Sequence, residues 1–211
     1  MSMLVIAAAV AGALLGLAAD WLSTRWPEHV PGHQRRWPDW RTLIVPVAGA
    51  VAGAALTTRW TEPRDLAVLG VYFAALLVLL ATDLDQKLLP DLITLPLVVL
   101  CGAVLALNWA PPLAVKSFGQ GSGVLAAIGL PVFLFVSDRL LRGDLGAGDL
   151  KLAVSVGLMS GVYNVFVGMI IASVAFSVVL IGLIAIRRLT LRSAVPFGPV
   201  LIVTGFIAAL L

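Results

Sequence analysis

The chain has 211 residues, 61% of them hydrophobic and only 12% charged, where a soluble domain averages about 45–50% apolar and about 25% charged residues. That composition excludes a water-soluble globule and implies a polytopic membrane protein. Lipid leaves the backbone two ways to satisfy its own hydrogen bonds, helices or a closed barrel. The net charge of +3 gives no case for nucleic acid as a partner, and a single cysteine, Cys101, excludes an intramolecular disulfide and a cysteine metal cluster.

Runs such as 165–186 lack the polar/apolar alternation of a barrel strand. The expected fold class is therefore all-α, a polytopic integral membrane protein with about eight transmembrane helices. The candidate spans are 3–19, 43–56, 66–82, 92–109, 121–136, 150–163, 165–186 and 194–211. The first has no basic residue ahead of it, and Ala18-Ala19-Asp20 is a poor cleavage site, so it is expected to remain as a helix rather than to be removed as a signal peptide. The stretch 20–42 is rich in Trp and Pro, which predicts a loop lying along the membrane surface. Gly49 and Gly53, four residues apart, put two small residues on one helix face for close packing. Pro46, Pro131 and Pro199 are expected to bend or start helices, and Asn164 to cap the helix after it.

The span 150–163 is the shortest together with 43–56. At 1.5 Å per residue it reaches about 21 Å, against a hydrocarbon core of about 30 Å. Loop charge argues that it crosses. With the N-terminus outside, the inside loops hold Arg25, Arg35, Arg36, Arg41, Lys87, Arg139, Arg142, Lys151, Arg187, Arg188 and Arg192, and the outside loops hold only Arg59, Arg64 and Lys116. A strong excess of Lys and Arg inside is what the positive-inside rule requires. Without a crossing at 150–163 the last three arginines would change sides and the excess would nearly vanish.

Six of the 11 acidic residues lie in two inside loops that flank helices. The first runs Asp83-Leu84-Asp85-Gln86-Lys87-Leu88-Leu89-Pro90-Asp91. The second holds Asp138, Asp144 and Asp149. Two aspartates held together can share one proton, so that one acts as general base on a water while the other, protonated, polarises a peptide carbonyl. That chemistry needs neither a metal nor a nucleophilic side chain. Asp83 directly follows an apolar run and is expected at a partly buried helix end. Asp149, behind Gly146 and Gly148, is expected at a helix N-terminus, where the dipole favours a carboxylate. Asp85, Asp91 and Asp144 read as nearer to water. On spacing alone, solvated loop charges and helix caps explain these residues equally well.

The sequence 83–96 resembles the first signature of the type IV prepilin peptidases. Gly146-Ala147-Gly148-Asp149-Leu150-Lys151-Leu152 resembles their second, the GxGD motif of intramembrane aspartyl proteases, and Pro196-Phe197-Gly198-Pro199 resembles a third shared run that opens the last helix. The resemblance covers residues 66–211 well and the first 60 poorly. It implies a single membrane-embedded peptidase domain over 1–211, multi-pass in the inner (plasma) membrane, with its active site facing the cytoplasm. It implies cleavage of the basic leader from prepilin or pseudopilin precursors just ahead of their hydrophobic helix, as in type IV pilus assembly and protein secretion. Asp83 and Asp149 match the catalytic pair, Gly146 and Gly148 shape the second site, and Asp85, Lys87, Pro90, Asp91 and Lys151 match supporting positions.

Many bifunctional relatives carry two zinc-binding CxxC pairs in the first cytoplasmic loop and also N-methylate the product. Residues 20–42 contain no cysteine, and His29 and His33 lack the further ligands of a four-coordinate site. No cofactor is therefore expected, and either a peptidase without methyltransferase activity or methylation by an unrecognised route. The lipid bilayer and the precursor are the expected partners. A proton- or cation-coupled transporter is the alternative from another class, opposed by acidic residues gathered at one interface rather than at mid-membrane and by the lack of an inverted repeat. A catalytically inactive homologue is a second alternative.

Overall fold

The computed structural model describes residues 3–26, 39–114, 119–141, 145–185 and 197–211, and every regular element among them is a helix. They are α1 (Met3–Ser23), α2 (Arg41–Arg59), α3 (Pro63–Gln86), α4 (Asp91–Ala106), the single turn α5 (Pro111–Ala114), α6 (Gly119–Leu141), α7 (Ala147–Ala185) and α8 (Gly198–Leu210). Five of these helices, α1, α2, α3, α6 and α7, are long and apolar enough to cross a membrane, and α4 and α8 are shorter apolar helices. His29, His33, Arg35, Arg36, Lys116, Arg142, Asp144, Arg187, Arg188, Arg192 and Pro196 lie outside the described residues.

The helix α3 is the centre. In its most apolar stretch 56% of residues are buried, against 33% or less in the other four long helices. Tyr72, Leu76 and Leu79 of α3, Leu152, Val156 and Met159 of α7, and Leu201 and Ile202 of α8 are fully enclosed in one core. Phe73 and Phe206 meet edge to face, 4.9 Å between centroids. At the far end of α8 the Trp60 indole N–H donates to the Ala209 carbonyl (3.1 Å), and Arg59 donates to that of Leu210 (3.2 Å). At its near end Gly198 lies against Asp83. These contacts at its two ends make α8 antiparallel to α3 and fix its height along it.

The first two helices approach each other closely through small residues. A Cβ on Gly49 would strike the Gly12 carbonyl, and one on Gly53 would strike that of Ala8. The glycine pair expected to pack on one face does so, and α1 supplies Gly12 and Gly16 to meet α2. Such contact suits lipid, where dispersion between close backbones replaces the hydrophobic effect.

The long helix α7 contains both the 150–163 and 165–186 spans, and the break between them falls at Gly161, which has φ 73° and ψ 173°. Asn164, expected to cap the second span, instead lies buried inside it. The chain folds back at the break. A straight helix would separate Val156 from Gly168 by about 18 Å, yet Val156 touches Gly205 while Gly168 touches Thr204 and Ala208, all within little more than one turn of α8. The turn is held by the Ser122 hydroxyl, which accepts the Val162 N–H (2.9 Å). A side chain at 161 would be strained by its backbone and would meet Leu113 and Ser122 at 2.6 and 2.7 Å. Gly161→Ala is therefore expected to cost at least about 1–3 kcal/mol, read as a lower unfolding midpoint in detergent. An unchanged midpoint would contradict the fold-back.

Candidate active site

The last turn of α3 carries Asp83, only 4% exposed. It is closed by Lys87, whose left-handed backbone (φ 54°) lets its N–H bond back to the Asp83 carbonyl at 2.9 Å. The chain then runs extended to Pro90, which precedes α4, and Asp91 stands in the first turn of that helix. Proline suits this position because no helical N–H is required there.

The first turn of α7 carries Asp149. Its Oδ2 accepts the Gly146 N–H at 3.3 Å, and its own N–H donates to the Gly146 carbonyl at 3.1 Å. A side chain reaching back from the third helical position satisfies one of the orphan donors at the helix start. The loop is held from the other side by Asp138 of α6, whose Oδ1 accepts the Leu145 N–H (2.9 Å).

Three contacts bring these segments together. A Cβ on Gly148 would lie 2.7 Å from the Leu89 Cβ and 3.0 Å from the Leu89 carbonyl, so the glycine lets the α7 start lie on the 87–90 turn. Lys151 Nζ donates to Asp91 Oδ1 at 2.6 Å. A Cβ on Gly198 would lie 2.6 Å from the Asp83 carboxyl carbon and from both its oxygens. The Asp149 and Lys87 charges both act on Asp83, so the two carboxylates lie within Coulombic reach. Asp83 Oδ2 and Asp149 Oδ1 are buried and take no hydrogen bond from the described residues. A buried acceptor of this kind is costly unless a proton or a polar guest satisfies it.

The sequence-derived residues thus divide. Asp83, Asp149, Gly146, Gly148, Lys87 and Pro90 belong to one adjoining pair of turns, in which Asp83 is buried, Asp149, Gly148 and Pro90 are half-buried, and Gly146 and Lys87 are exposed. Asp91 and Lys151 form a half-exposed ion pair at its edge, of a kind worth only about 0–1 kcal/mol. Asp85 corrects the expectation that it faces water: its side chain is 0% exposed and pairs with Arg41 at 2.6 Å. It turns away because residues two apart on a helix point about 200° apart, so Asp85 faces α2 while Asp83 faces Gly198 of α8. Two neighbours escaped the sequence reading of the site. Gly198 stood in a recognised run but carried no sign that it touches Asp83. Arg41 read only as one of many inside charges.

The sequence profile of the type IV leader peptidase family matches residues 70–186. A prepilin leader peptidase/N-methyltransferase of Aeromonas salmonicida is 32% identical over 172 residues, covering 80% of this chain and 56% of the relative. The proteins of the same description from Burkholderia pseudomallei and Pseudomonas putida are 34% and 31% identical, over 77% and 81% of this chain and 52% and 58% of theirs. The chain therefore spans about half the length of the curated relatives it matches. No solved structure matches it. The matched profile runs from the middle of α3 to the end of α7, across both aspartate-bearing turns and the Gly161 fold-back, and the chain belongs to the type IV leader peptidase family.

Proposed function

We propose that this chain is a single-domain membrane aspartyl endopeptidase, with Asp83 and Asp149 as its catalytic pair. Its substrate is a type IV prepilin or pseudopilin precursor, cut at the cytoplasmic face between a basic leader and a hydrophobic helix. The observation that carries the reading is a buried carboxylate, Asp83, and a half-buried one, Asp149, at adjoining helix ends, each with an oxygen that takes no hydrogen bond from the described residues.

One carboxylate takes a proton from water as the water oxygen bonds to the scissile carbonyl carbon. The other, protonated, gives its proton to the carbonyl oxygen. The resulting diol collapses with cleavage of the C–N bond as a proton passes to the leaving amine. Exclusion of bulk water strengthens each of these interactions. The substrate helix reaches the pair from the side, and the short first half of α7 keeps Asp149 close to the membrane surface. Gly148 gives the α7 start its close approach, Gly146 donates its N–H to Asp149, and Lys87, Pro90, Asp91 and Lys151 support the two turns. The proposal stops at the peptidase, because the one cysteine lies in α4 and residues 20–42 hold no CxxC pair.

The test is cleavage of a precursor with a basic leader by membranes holding this protein, read by product mass. The expected product begins at the start of the hydrophobic helix and carries a free, unmethylated amine. An intact precursor overturns the peptidase, and a methylated product overturns the restriction to it.

A further inference from the structure

The first residue of α2, Arg41, is 9% exposed, and its guanidinium lies against the end of α3. A cation at a helix start opposes the macrodipole, and a buried guanidinium is costly unless well paired. Both penalties are accepted here for contacts made 43 and 44 residues away. Arg41 Nη1 donates to the Leu84 carbonyl at 2.5 Å and to Asp85 Oδ1 at 2.6 Å. Asp39 lies farther off, 3.7 Å from Nε.

Leu84 and Asp85 directly follow Asp83. The last carbonyls of a helix have no partner within it. In α3 the Asp83 carbonyl takes the Lys87 N–H, and the Leu84 carbonyl takes Arg41. The next residue along α2, Thr42, donates its hydroxyl to Asp20 Oδ2 of α1 at 2.8 Å, and Asp20 is itself 1% exposed. The α1–α2 pair, locked by glycine contact, is thus tied to the turn that carries Asp83. Among the described residues, none donates to Asp83 Oδ2 a hydrogen bond that could aim the carboxylate. Its aim depends on the turn itself and on the wall formed by Gly198.

We propose that Arg41 is a positioning residue, which fixes the last turn of α3 through Leu84 and Asp85 and so aims the Asp83 carboxyl at Asp149. The part of the chain outside the family match thereby contributes to the reaction. The inference rests on the reading of Asp83 and Asp149 as the catalytic pair.

The experiment measures kcat and KM for precursor cleavage in proteoliposomes, with unfolding midpoints, for wild type, R41K, R41M, R41M/D85L, D83N and D149N. R41M is expected to lower kcat at least about tenfold, with KM within about twofold. R41K, which keeps the charge but not the fork, should recover part of kcat. R41M takes the Arg41 cation from the buried Asp85 carboxylate, so its midpoint should fall. R41M/D85L removes both charges and should regain the midpoint while kcat stays low. Wild-type kcat in R41M, or kcat that returns with the midpoint in R41M/D85L, overturns the positioning role alone, provided D83N and D149N are inactive. If R41M fails to fold, R41K and the double variant decide on the same criteria. Wild-type cleavage by D83N and D149N overturns the catalytic pair and this inference with it.

Discussion

Asp83→Asn and Asp149→Asn are each expected to lower the leader-cleavage rate by about 10³-fold or more while the protein remains in the membrane at its normal level. The size follows from the proposed roles. A general base and a general acid each contribute about 10²–10⁴-fold, and members of one catalytic unit fail together rather than in proportion. Asparagine keeps the shape of aspartate and removes both its charge and its acidic proton, so packing around each site is preserved. The measurement is the first-order disappearance of a precursor under single-turnover conditions, beside the amount of variant recovered from membranes. A variant that falls in rate only because it is lost from the membrane is thereby recognised.

Gly198→Ala is expected to lower kcat by about 10²-fold with little change in KM, although neither glycine nor alanine takes part in the chemistry. The new Cβ would lie 2.6 Å from all three atoms of the Asp83 carboxyl group, closer than atoms of a folded protein come. One side must move. The helix α8 is held by the fully enclosed Leu201 and Ile202 and by the Trp60 bond to Ala209 at its far end. Asp83 lies in the last turn of α3, and its Oδ2 takes no hydrogen bond from the described residues. The carboxylate therefore yields, and a displacement of about 1 Å costs about 10²-fold when groups must be held in near-attack geometry. Gly146→Ala provides the contrast. Its Cβ would meet Asp149 Oδ2 at 3.4 Å, an ordinary contact, so its loss is expected to be smaller. A Gly198→Ala enzyme with kcat within about twofold of wild type would show that Asp83 does not work where it lies.

Much of this arrangement was legible from residues alone, and the exceptions have physical causes. Apolar runs and the scarcity of charge were enough for an all-helical membrane fold. Asp83 and Asp149 stood out because a carboxylate at the edge of a hydrophobic run is costly and helix contexts are local. The glycine pair of α2 was legible for the same reason, since spacing alone decides which face small residues share. Tertiary partners were not legible. A buried arginine and a solvated one count alike in a loop-charge argument, and only the fold reveals that Arg41 meets Leu84 and Asp85. Asp85 looked solvated for the complementary reason. The break at Gly161 was displaced to the nearby polar Asn164, because a glycine inside an apolar run signals close packing as readily as a turn.

The central claim is that Asp83 and Asp149 act as one unit. Its most direct test compares the rate of precursor cleavage by wild type, D83N, D149N and D83N/D149N in the same membranes. The same residual rate is expected for all three variants, because removing either carboxylate already removes the pair. Wild-type cleavage by either single variant, or a double variant slowed by the product of two independent losses, would contradict it.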